Sequence, residues 1–249
     1  MASQLKGLVR KGVDSILDPF GFELVKKHSW DDPKTYIPFK ETIKGAKEAS
    51  LLVGDFIDAA YQEPGATQEM IDQMAAFGVF NPKIERVCEI GPGSGRYLEK
   101  TLQAYKPDYY EFYETANEWA QWLVQNYHVI HQPTNGISLS ATPSSSIDLI
   151  HAHRVFSYTP FFTTVSYFFE MMRVVRDGGK IVFDITTEDC MQPAILEKWL
   201  AAGFQGSSYP TFMSKRYVLD FFQNHDFTLV GNFCIINKPG LTEYFIFTR

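Results

Sequence analysis

The sequence contains little cysteine, and its cysteines form no known metal or disulfide pattern. Its three cysteines, Cys88, Cys190 and Cys234, are far apart along the chain and odd in number. Neither a CxxC pair nor the cysteine–histidine spacing of zinc sites is present. This distribution is typical of reduced thiols in the cytoplasm, so we expect a cytoplasmic protein.

The sequence also lacks an apolar run of signal-peptide or transmembrane length and an excess of positive charge. Residues 4–18 alternate apolar and basic side chains at helical spacing, which predicts an amphipathic helix. Such a helix packs on its own domain more often than on a membrane. The formal net charge of −6 argues against non-specific nucleic-acid binding. We therefore expect neither a nucleic-acid partner nor stable membrane insertion.

What the chain does contain is enough apolar material for a sizeable core. It has 249 residues, of which 45% are hydrophobic and 15% aromatic. The aromatic side chains fit either ordinary core packing or an apolar substrate pocket. The first 83 residues favour helices: one stretch over about 43–60, and a shorter helix with Thr67 as its N-cap.

From residue 84 onwards, strand and helix patterns alternate. The predicted strands cover 86–90, 109–113, 128–131, 147–153 and 180–185, followed by a hairpin of 227–236 and 244–248. The predicted helices cover about 94–105, 116–127, 163–176, 193–202 and 213–224. This alternation predicts a doubly wound α/β sheet, with ligands at the carboxyl ends of its strands.

The first of these strands ends in a glycine-rich turn, Glu89-Ile-Gly-Pro-Gly-Ser-Gly-Arg96. Glycines at 91, 93 and 95 bring the backbone close to a ligand, and the following helix offers free N–H groups. A dinucleotide-binding turn would place a third glycine where Arg96 stands. A nicotinamide-dependent oxidoreductase is therefore an alternative that this pattern disfavours, and a non-catalytic binding protein on the same fold is another.

The turn, together with the residues that follow it, resembles the class I S-adenosylmethionine-dependent methyltransferases. The resemblance covers about 84–249 and implies a Rossmann-like seven-stranded sheet, mostly parallel with an antiparallel last strand. It implies a methyltransferase domain over 84–249, with residues 1–83 as a helical N-terminal lid. It also implies that Glu114 binds the ribose hydroxyls and that Asn135 contacts the adenine. The full set of expected cofactor-binding residues is Glu89, Gly91, Pro92, Gly93, Glu114, Thr115, Asn135 and Gly136.

Two histidines end the fourth predicted strand. His151 and His153 are two residues apart and therefore share a face of the sheet. His153 lies nearer the carboxyl end, so we expect it to act as a general base, with a structural role as the alternative. A base suits an oxygen acceptor, because a hydroxyl must lose its proton, whereas an amine need only bind neutral. We therefore expect a small-molecule hydroxyl as the acceptor, with a small amine as the alternative.

Further candidate substrate contacts follow strands four and five: Tyr158, Thr186, Thr187, Glu188 and Asp189. The adjacent carboxylates Glu188 and Asp189 point apart in an extended chain, so no metal site is expected. The sequence does not predict an oligomeric state.

Overall fold

The computed structural model describes residues 37–204 and 209–249. The amphipathic helix predicted over 4–18 lies outside the described residues. The helices are α1 (Phe39–Ala49), α2 (Val53–Tyr61), α3 (Ala66–Ala76), α4 (Arg96–Tyr105), α5 (Asn117–Asn126), α6 (Phe161–Val174), α7 (Pro193–Ala201) and α8 (Lys215–Gln223). The strands are β1 (Arg86–Ile90), β2 (Tyr109–Tyr113), β3 (Ile130–His131), β4 (Ile147–Ala152), β5 (Val175–Ile185), β6 (Thr228–Asn237) and β7 (Gly240–Thr248). A 3₁₀ turn, Glu188–Cys190, follows β5.

The seven strands form one sheet in the order β3-β2-β1-β4-β5-β7-β6. Strands β1 to β5 are parallel, and β7 pairs antiparallel with both β5 and β6. The predicted Rossmann-like sheet with an antiparallel end is therefore confirmed. Because the strand order reverses between β1 and β4, the carboxyl ends of these two strands border the crevice where ligands bind in such sheets.

Apolar side chains cover both faces of the sheet. On one face, Cys88 and Ile150 pack with Phe168 and Phe183 in a largely aromatic cluster. On the other, Val87 and Leu149 pack with residues of α3 and α4 in a second cluster. Burial on both faces explains why β1 and β4 read as nearly continuous apolar runs.

The boundary between α6 and β5 differs from the prediction. The helix ends at Val174 rather than 176, and β5 begins at Val175 rather than Lys180. The pairing register of β4 with β5 shifts here, from Ile147–Val175 to Leu149–Lys180. Arg176 forms an ion pair with Asp148 of β4, which holds this segment against the sheet. The Asp-Gly-Gly sequence is therefore an irregularity within a strand and not a helix terminus.

The helices before β1 also differ from the prediction. The single stretch over 43–60 is two helices, α1 and α2, because Ser50 adopts a left-handed conformation that ends α1. Thr67 is not the N-cap of α3, since Gly65 occupies that position. Instead, both the backbone N–H and the hydroxyl of Thr67 donate to Asp58 of α2. Among the described helices, none is both long and apolar enough to span a bilayer.

Candidate active site

The turn between β1 and α4 depends on glycine at three alternate positions. Gly91, Gly93 and Gly95 all have positive φ, at 63°, 52° and 75°, a conformation that other residues rarely adopt. A Cβ on Gly91 would lie 2.8 Å from Val155, and one on Gly95 would collide with Leu123. A Cβ on Gly93 would meet nothing within 4 Å. Gly93 is therefore the point at which the turn opens onto free space.

Glu114 lies at the carboxyl end of β2 and is hydrogen-bonded to this turn. The Gly93 N–H donates to Glu114 Oε2 and the Ala116 N–H donates to Oε1, each at 2.7 Å. Burial raises the pKa of Glu114, and the bonds from Ala116 and Gly93 oppose that rise. A carboxylate oxygen has more than one lone pair, so both oxygens keep capacity to accept from a ligand hydroxyl.

Thr115 and Gly136, two other residues predicted to border the cofactor, lie close to each other. The Thr115 methyl group lies 3.7 Å from where a Cβ on Gly136 would stand. Asn135 is exposed, and its side-chain oxygen already accepts from Ile137 N–H (3.0 Å) and from Ser138 N–H (2.9 Å). Its oxygen must therefore be shared or freed before it can bind an adenine.

Glu89 is buried on β1 and belongs to a polar chain across the sheet. Its Oε2 accepts from the Tyr110 hydroxyl at 2.6 Å, whereas its buried Oε1 has no hydrogen-bond partner among the described residues. Burial raises the pKa of Glu89 to about 8, although the hydrogen bond from Tyr110 acts to lower it. An orphaned buried oxygen beside a ligand-binding turn is a feature that needs a partner.

His153 follows β4 and is only 4% exposed. Tyr97 of α4 stacks on its ring at 3.9 Å between centroids. Its Nε2 is 2.7 Å from His151 Nδ1, and its Nδ1 is 3.2 Å from the Tyr244 hydroxyl. Burial first, and then the neighbouring His151, Arg96 and Arg154, hold the pKa of His153 well below its usual value. The imidazole is therefore neutral at physiological pH.

Two arrangements of protons satisfy both rings, one for each direction of the hydrogen-bond chain from Glu89 to Tyr244. Burial lowers the pKa of His151 to about 3, so it is neutral too. A protonated Glu89 can donate to Tyr110 and reverse the chain, whereas with Glu89 ionised Tyr110 donates to Glu89 and His151 Nε2–H donates to the Tyr110 oxygen (3.0 Å). His151 Nδ1 then accepts from His153 Nε2–H, and His153 Nδ1 accepts from Tyr244. The predicted role of His153 as a base remains a prediction, and it requires Tyr244 to release that nitrogen.

Sequence reasoning missed Arg154 and Asp184, which lie beside His153. Arg154 has a left-handed backbone (φ 59°), and its N–H donates to Asp184 Oδ1 at 2.6 Å. Its guanidinium donates to the Ile236 carbonyl of β6. A carboxylate within the apolar run of β5 was the available signal, because buried charges are almost always paired.

A second missed feature is the ion pair beneath the glycine turn. Arg96, the first residue of α4, donates through Nη1 to Asp58 Oδ1 of α2 at 2.9 Å, and both side chains are almost fully buried. Gly54 of α2 lies against Arg96, where a Cβ would come within 3.0 Å of it. Arg96 therefore joins α2 to the first turn of α4.

The predicted substrate contacts after β5 are mostly engaged within the protein. Thr187 donates to the buried Glu243, Glu188 accepts from Lys215 N–H, and Asp189 pairs with Lys215 Nζ at 2.8 Å. Within the described residues, no group of three or more histidine, cysteine or acidic side chains is arranged to hold a metal ion.

The residues around the turn fit the adenosyl cofactor that the sequence resemblance implies. Open space above Gly93, spare acceptor capacity on Glu114 and the orphaned Glu89 Oε1 lie around one turn at the carboxyl end of β1. Hydroxyl and amino groups are the donors that such oxygens accept.

Comparison with known proteins identifies a methyltransferase domain in this chain. A family model described as a methyltransferase domain matches residues 61–232, more than half of the chain. Magnesium protoporphyrin IX methyltransferase from Synechocystis PCC 6803, with bound SAH, has a similar structure (TM-score 0.58, 12% identity), covering 98% of this chain and 99% of that one. No curated protein matches the sequence.

Two further solved structures are similar at this level. An O-methyltransferase family protein from Burkholderia thailandensis has a TM-score of 0.58 at 15% identity, over 86% of this chain and 64% of that one. The N-methyltransferase NodS from Bradyrhizobium japonicum WM9, in complex with S-adenosyl-L-homocysteine, has a TM-score of 0.52 at 15% identity, over 73% and 86%. At these identities the likeness shows the fold.

Proposed function

The chain belongs to the class I S-adenosylmethionine-dependent methyltransferases, and we propose that it methylates a hydroxyl oxygen of a small molecule. Its cofactor is S-adenosylmethionine, which supplies an electrophilic methyl group when bound. Transfer is an in-line displacement, so the protein must hold the acceptor atom close to that methyl group and aligned with the breaking bond.

The cofactor-binding residues that we propose are Glu89, Gly91, Pro92, Gly93, Glu114, Thr115, Asn135 and Gly136. The free space above Gly93, the unused acceptor capacity of Glu114 and the unpaired Oε1 of Glu89 support this assignment. Glu114 would take ribose hydroxyls while keeping its bonds to the turn. The orphaned oxygen of Glu89 would take a donor from the cofactor.

The observation that supports an acceptor with an apolar ring is a set of exposed aromatic side chains in the segments that follow β4 and β5. Phe161 and Phe162, 38% and 83% exposed, begin α6 after the loop that follows β4. Phe212, 51% exposed, bridges through its backbone to Thr186 at the end of β5. Large apolar side chains at the carboxyl end of a sheet favour an acceptor with a flat apolar ring.

We propose His153 as the group that takes the acceptor's proton. The ring is neutral, because burial holds its pKa well below the usual value, and a neutral imidazole can accept a proton. The transfer requires the acceptor hydroxyl to replace Tyr244 at Nδ1. The remaining bond from Nε2 to His151 would then keep the ring oriented.

We also propose that residues 1–83 form a helical lid over a methyltransferase domain of 84–249, in the cytoplasm. The described residues before β1 bear on this division in two different ways. Leu51 and Leu52 lie between α1 and α2 and are exposed, which fits the apolar side chains of a lid. In contrast, Met70 and Met74 of α3 are buried in the same cluster as Val87 of β1, so α3 covers the sheet.

A matched pair of ring compounds tests the acceptor. A naphthol and the corresponding naphthylamine present the same ring with oxygen or nitrogen as the acceptor atom. We expect methyl transfer from S-adenosylmethionine to the naphthol and little to the amine, measured by mass spectrometry of the product. Methylation of the amine alone would contradict the oxygen assignment.

Phe162→Ala tests the ring surface. We expect KM for the naphthol to rise about five-fold with little change in kcat, because about 1 kcal/mol of apolar contact is lost. Val124→Ala, which removes a comparably apolar exposed side chain from α5, is the control. Equal effects of the two substitutions would exclude Phe162 from the acceptor site.

A further inference from the structure

Two cysteines that are distant in sequence meet at the antiparallel edge of the sheet. Cys190 ends the 3₁₀ turn after β5 and is fully buried, whereas Cys234 lies in β6 and is exposed. Both lie next to Glu243 of β7, a buried carboxylate held by Thr187 and Lys215. The third cysteine, Cys88, is buried in β1 within the other part of the sheet.

The contacts around Glu243 bring the two thiols together. The Cys190 sulfur is 3.8 Å from Thr187 Oγ1, which donates to Glu243 Oε2. Cys234 is the cross-strand partner of Glu243 in the β6–β7 ladder. Directly paired residues share a face, with Cβ atoms about 4.5–5.5 Å apart. Each of the two thiols shifts the pKa of the other, so the two sulfurs lie close together.

We propose that Cys190 and Cys234 are a thiol–disulfide site that low-molecular-weight disulfides oxidise. The resulting bond joins the segment after β5 to the terminal hairpin. This inference does not depend on the identity of the methyl acceptor, because the site is defined by the two sulfurs and their neighbours alone.

The electrostatics of the two sulfurs support this reactivity. The hydrogen bond from Cys234 lowers the pKa of the Cys190 thiol, and the same contact raises that of Cys234. The pair therefore loses its first proton from Cys190. In contrast, burial and the adjacent Glu111 raise the pKa of Cys88 well above its usual value. Since the thiolate is the reactive form, Cys88 is an internal unreactive reference.

The reaction balances with the disulfide reagent as the oxidant. Because Cys190 is buried, the reagent meets the exposed Cys234. The Cys190 thiolate acts as the base and takes the proton of Cys234 as the Cys234 sulfur attacks one sulfur of glutathione disulfide. A mixed disulfide forms at Cys234 and one glutathione thiolate leaves, which is protonated by solvent. Cys190 then loses this proton to the solvent and attacks the Cys234 sulfur, and the second glutathione leaves as a thiolate that the solvent protonates. Two protein thiols are oxidised and two glutathione thiols form.

Mass spectrometry of the full-length chain after treatment with glutathione disulfide tests the proposal. We expect the thiol count to fall from three to one, with a peptide map that links 190 to 234 and leaves Cys88 free to alkylate under denaturing conditions. The oxidised protein should also melt about 5 °C or more above the reduced protein, because the link closes a long loop. Dithiothreitol should reverse both changes.

Single substitutions separate the roles of the two sulfurs. Cys234→Ser, at an exposed position, should abolish both the linked peptide and the rise in melting temperature. Cys190→Ser should instead retain one glutathione on Cys234. Two results in the unsubstituted protein would overturn the proposal: a lasting mixed disulfide on Cys234 with Cys190 still alkylatable, or disulfide dimers through Cys234.

Discussion

Two buried glutamates at neighbouring strand ends differ in the donors that surround them. Glu114 accepts two backbone N–H bonds, and these reduce the rise in pKa that burial causes. Glu89 accepts one bond from Tyr110 and keeps a buried oxygen without a partner, so the pKa rises to about 8. Both carboxyl groups are buried, so the number of hydrogen bonds that each accepts decides which of them is the more readily ionised and can bind a ligand as a carboxylate.

Substitution of Glu114 tests its assignment to the cofactor. Glu114→Ala removes an acceptor from the turn and from any ribose hydroxyl, so S-adenosylmethionine should bind more weakly by about 1–3 kcal/mol. Calorimetric titration measures this change. Glu118→Ala, at an exposed position on α5 that pairs loosely with Lys40, should leave the affinity unchanged. If Glu114→Ala binds as tightly as the parent, the residue lies outside the cofactor site.

His153→Ala tests the proton acceptor. We expect kcat with a hydroxyl acceptor to fall by about 10²–10⁴-fold, with S-adenosylmethionine affinity nearly unchanged. Because burial keeps the pKa of His153 well below its usual value, the parent rate should show no inflection near pH 6.5 from this residue. The exposed His225→Ala is the control. A loss of only a few-fold would leave His153 with a structural role.

At the scale of helices, Asp58 connects three elements. It accepts from Thr67 of α3 and from Arg96 of α4 while itself lying on α2. Removing one member of a buried ion pair leaves the other charge uncompensated, which is far more costly than losing an exposed pair. This single carboxylate therefore fixes the helices before β1 against the glycine turn.

Asp58→Asn should destabilise the protein by about 3 kcal/mol, because the buried Arg96 loses its counter-charge. Asp55→Asn is the matched control on the same helix. Asp55 pairs with Lys100 but is 41% exposed, so its loss should cost less than about 1 kcal/mol. Urea unfolding measures both. Equal losses would mean that the ion pair with Arg96 contributes little to stability.

The hydrophobic pattern of the sequence predicted the strands well, because each strand of the sheet must present apolar side chains to the core. The predicted bounds of β1 and β2 agree with the structure, and the last four residues of each strand are buried. Local patterns failed where a distant partner decides the conformation. Thr67 has the composition of an N-cap, but its donors serve Asp58. The sequence predicted that a helix ends at Arg176, but Arg176 lies in β5, where it forms an ion pair with Asp148.

At the scale of the whole molecule, the sequence could predict the glycine-rich turn and its contact with Glu114, but not the side chains that surround them. Glycine spacing and Glu114 lie within one βαβ unit, so their proximity follows from local order. The contact of Cys190 with Cys234 instead depends on how β7 inserts between β5 and β6. The same is true of Tyr244, which reaches His153 only through that insertion. Such long-range pairings leave no spacing signal in one sequence.

The buried polar chain makes stability depend on pH, and Glu89 sets the direction at neutral pH. Its pKa is raised from about 4.5 to about 8, so the folded protein keeps a proton that the unfolded chain loses in this window. Stability is therefore highest, as far as Glu89 is concerned, below pH 4.5 and falls as pH rises towards 8. Tyr110, His151 and Glu114 surround this carboxyl group.

Glu89→Gln removes the titration while keeping an acceptor for Tyr110. Between pH 5 and 8, its stability relative to the parent should increase with pH, with a limiting slope of about 1.4 kcal/mol per pH unit for one proton. Urea unfolding at a series of pH values gives this difference directly. Glu85→Gln, at an exposed position before β1, should show no such trend. A difference between Glu89→Gln and the parent that stays constant with pH would mean that Glu89 is already ionised in the folded protein, and that its buried charge is balanced by a partner still to be identified.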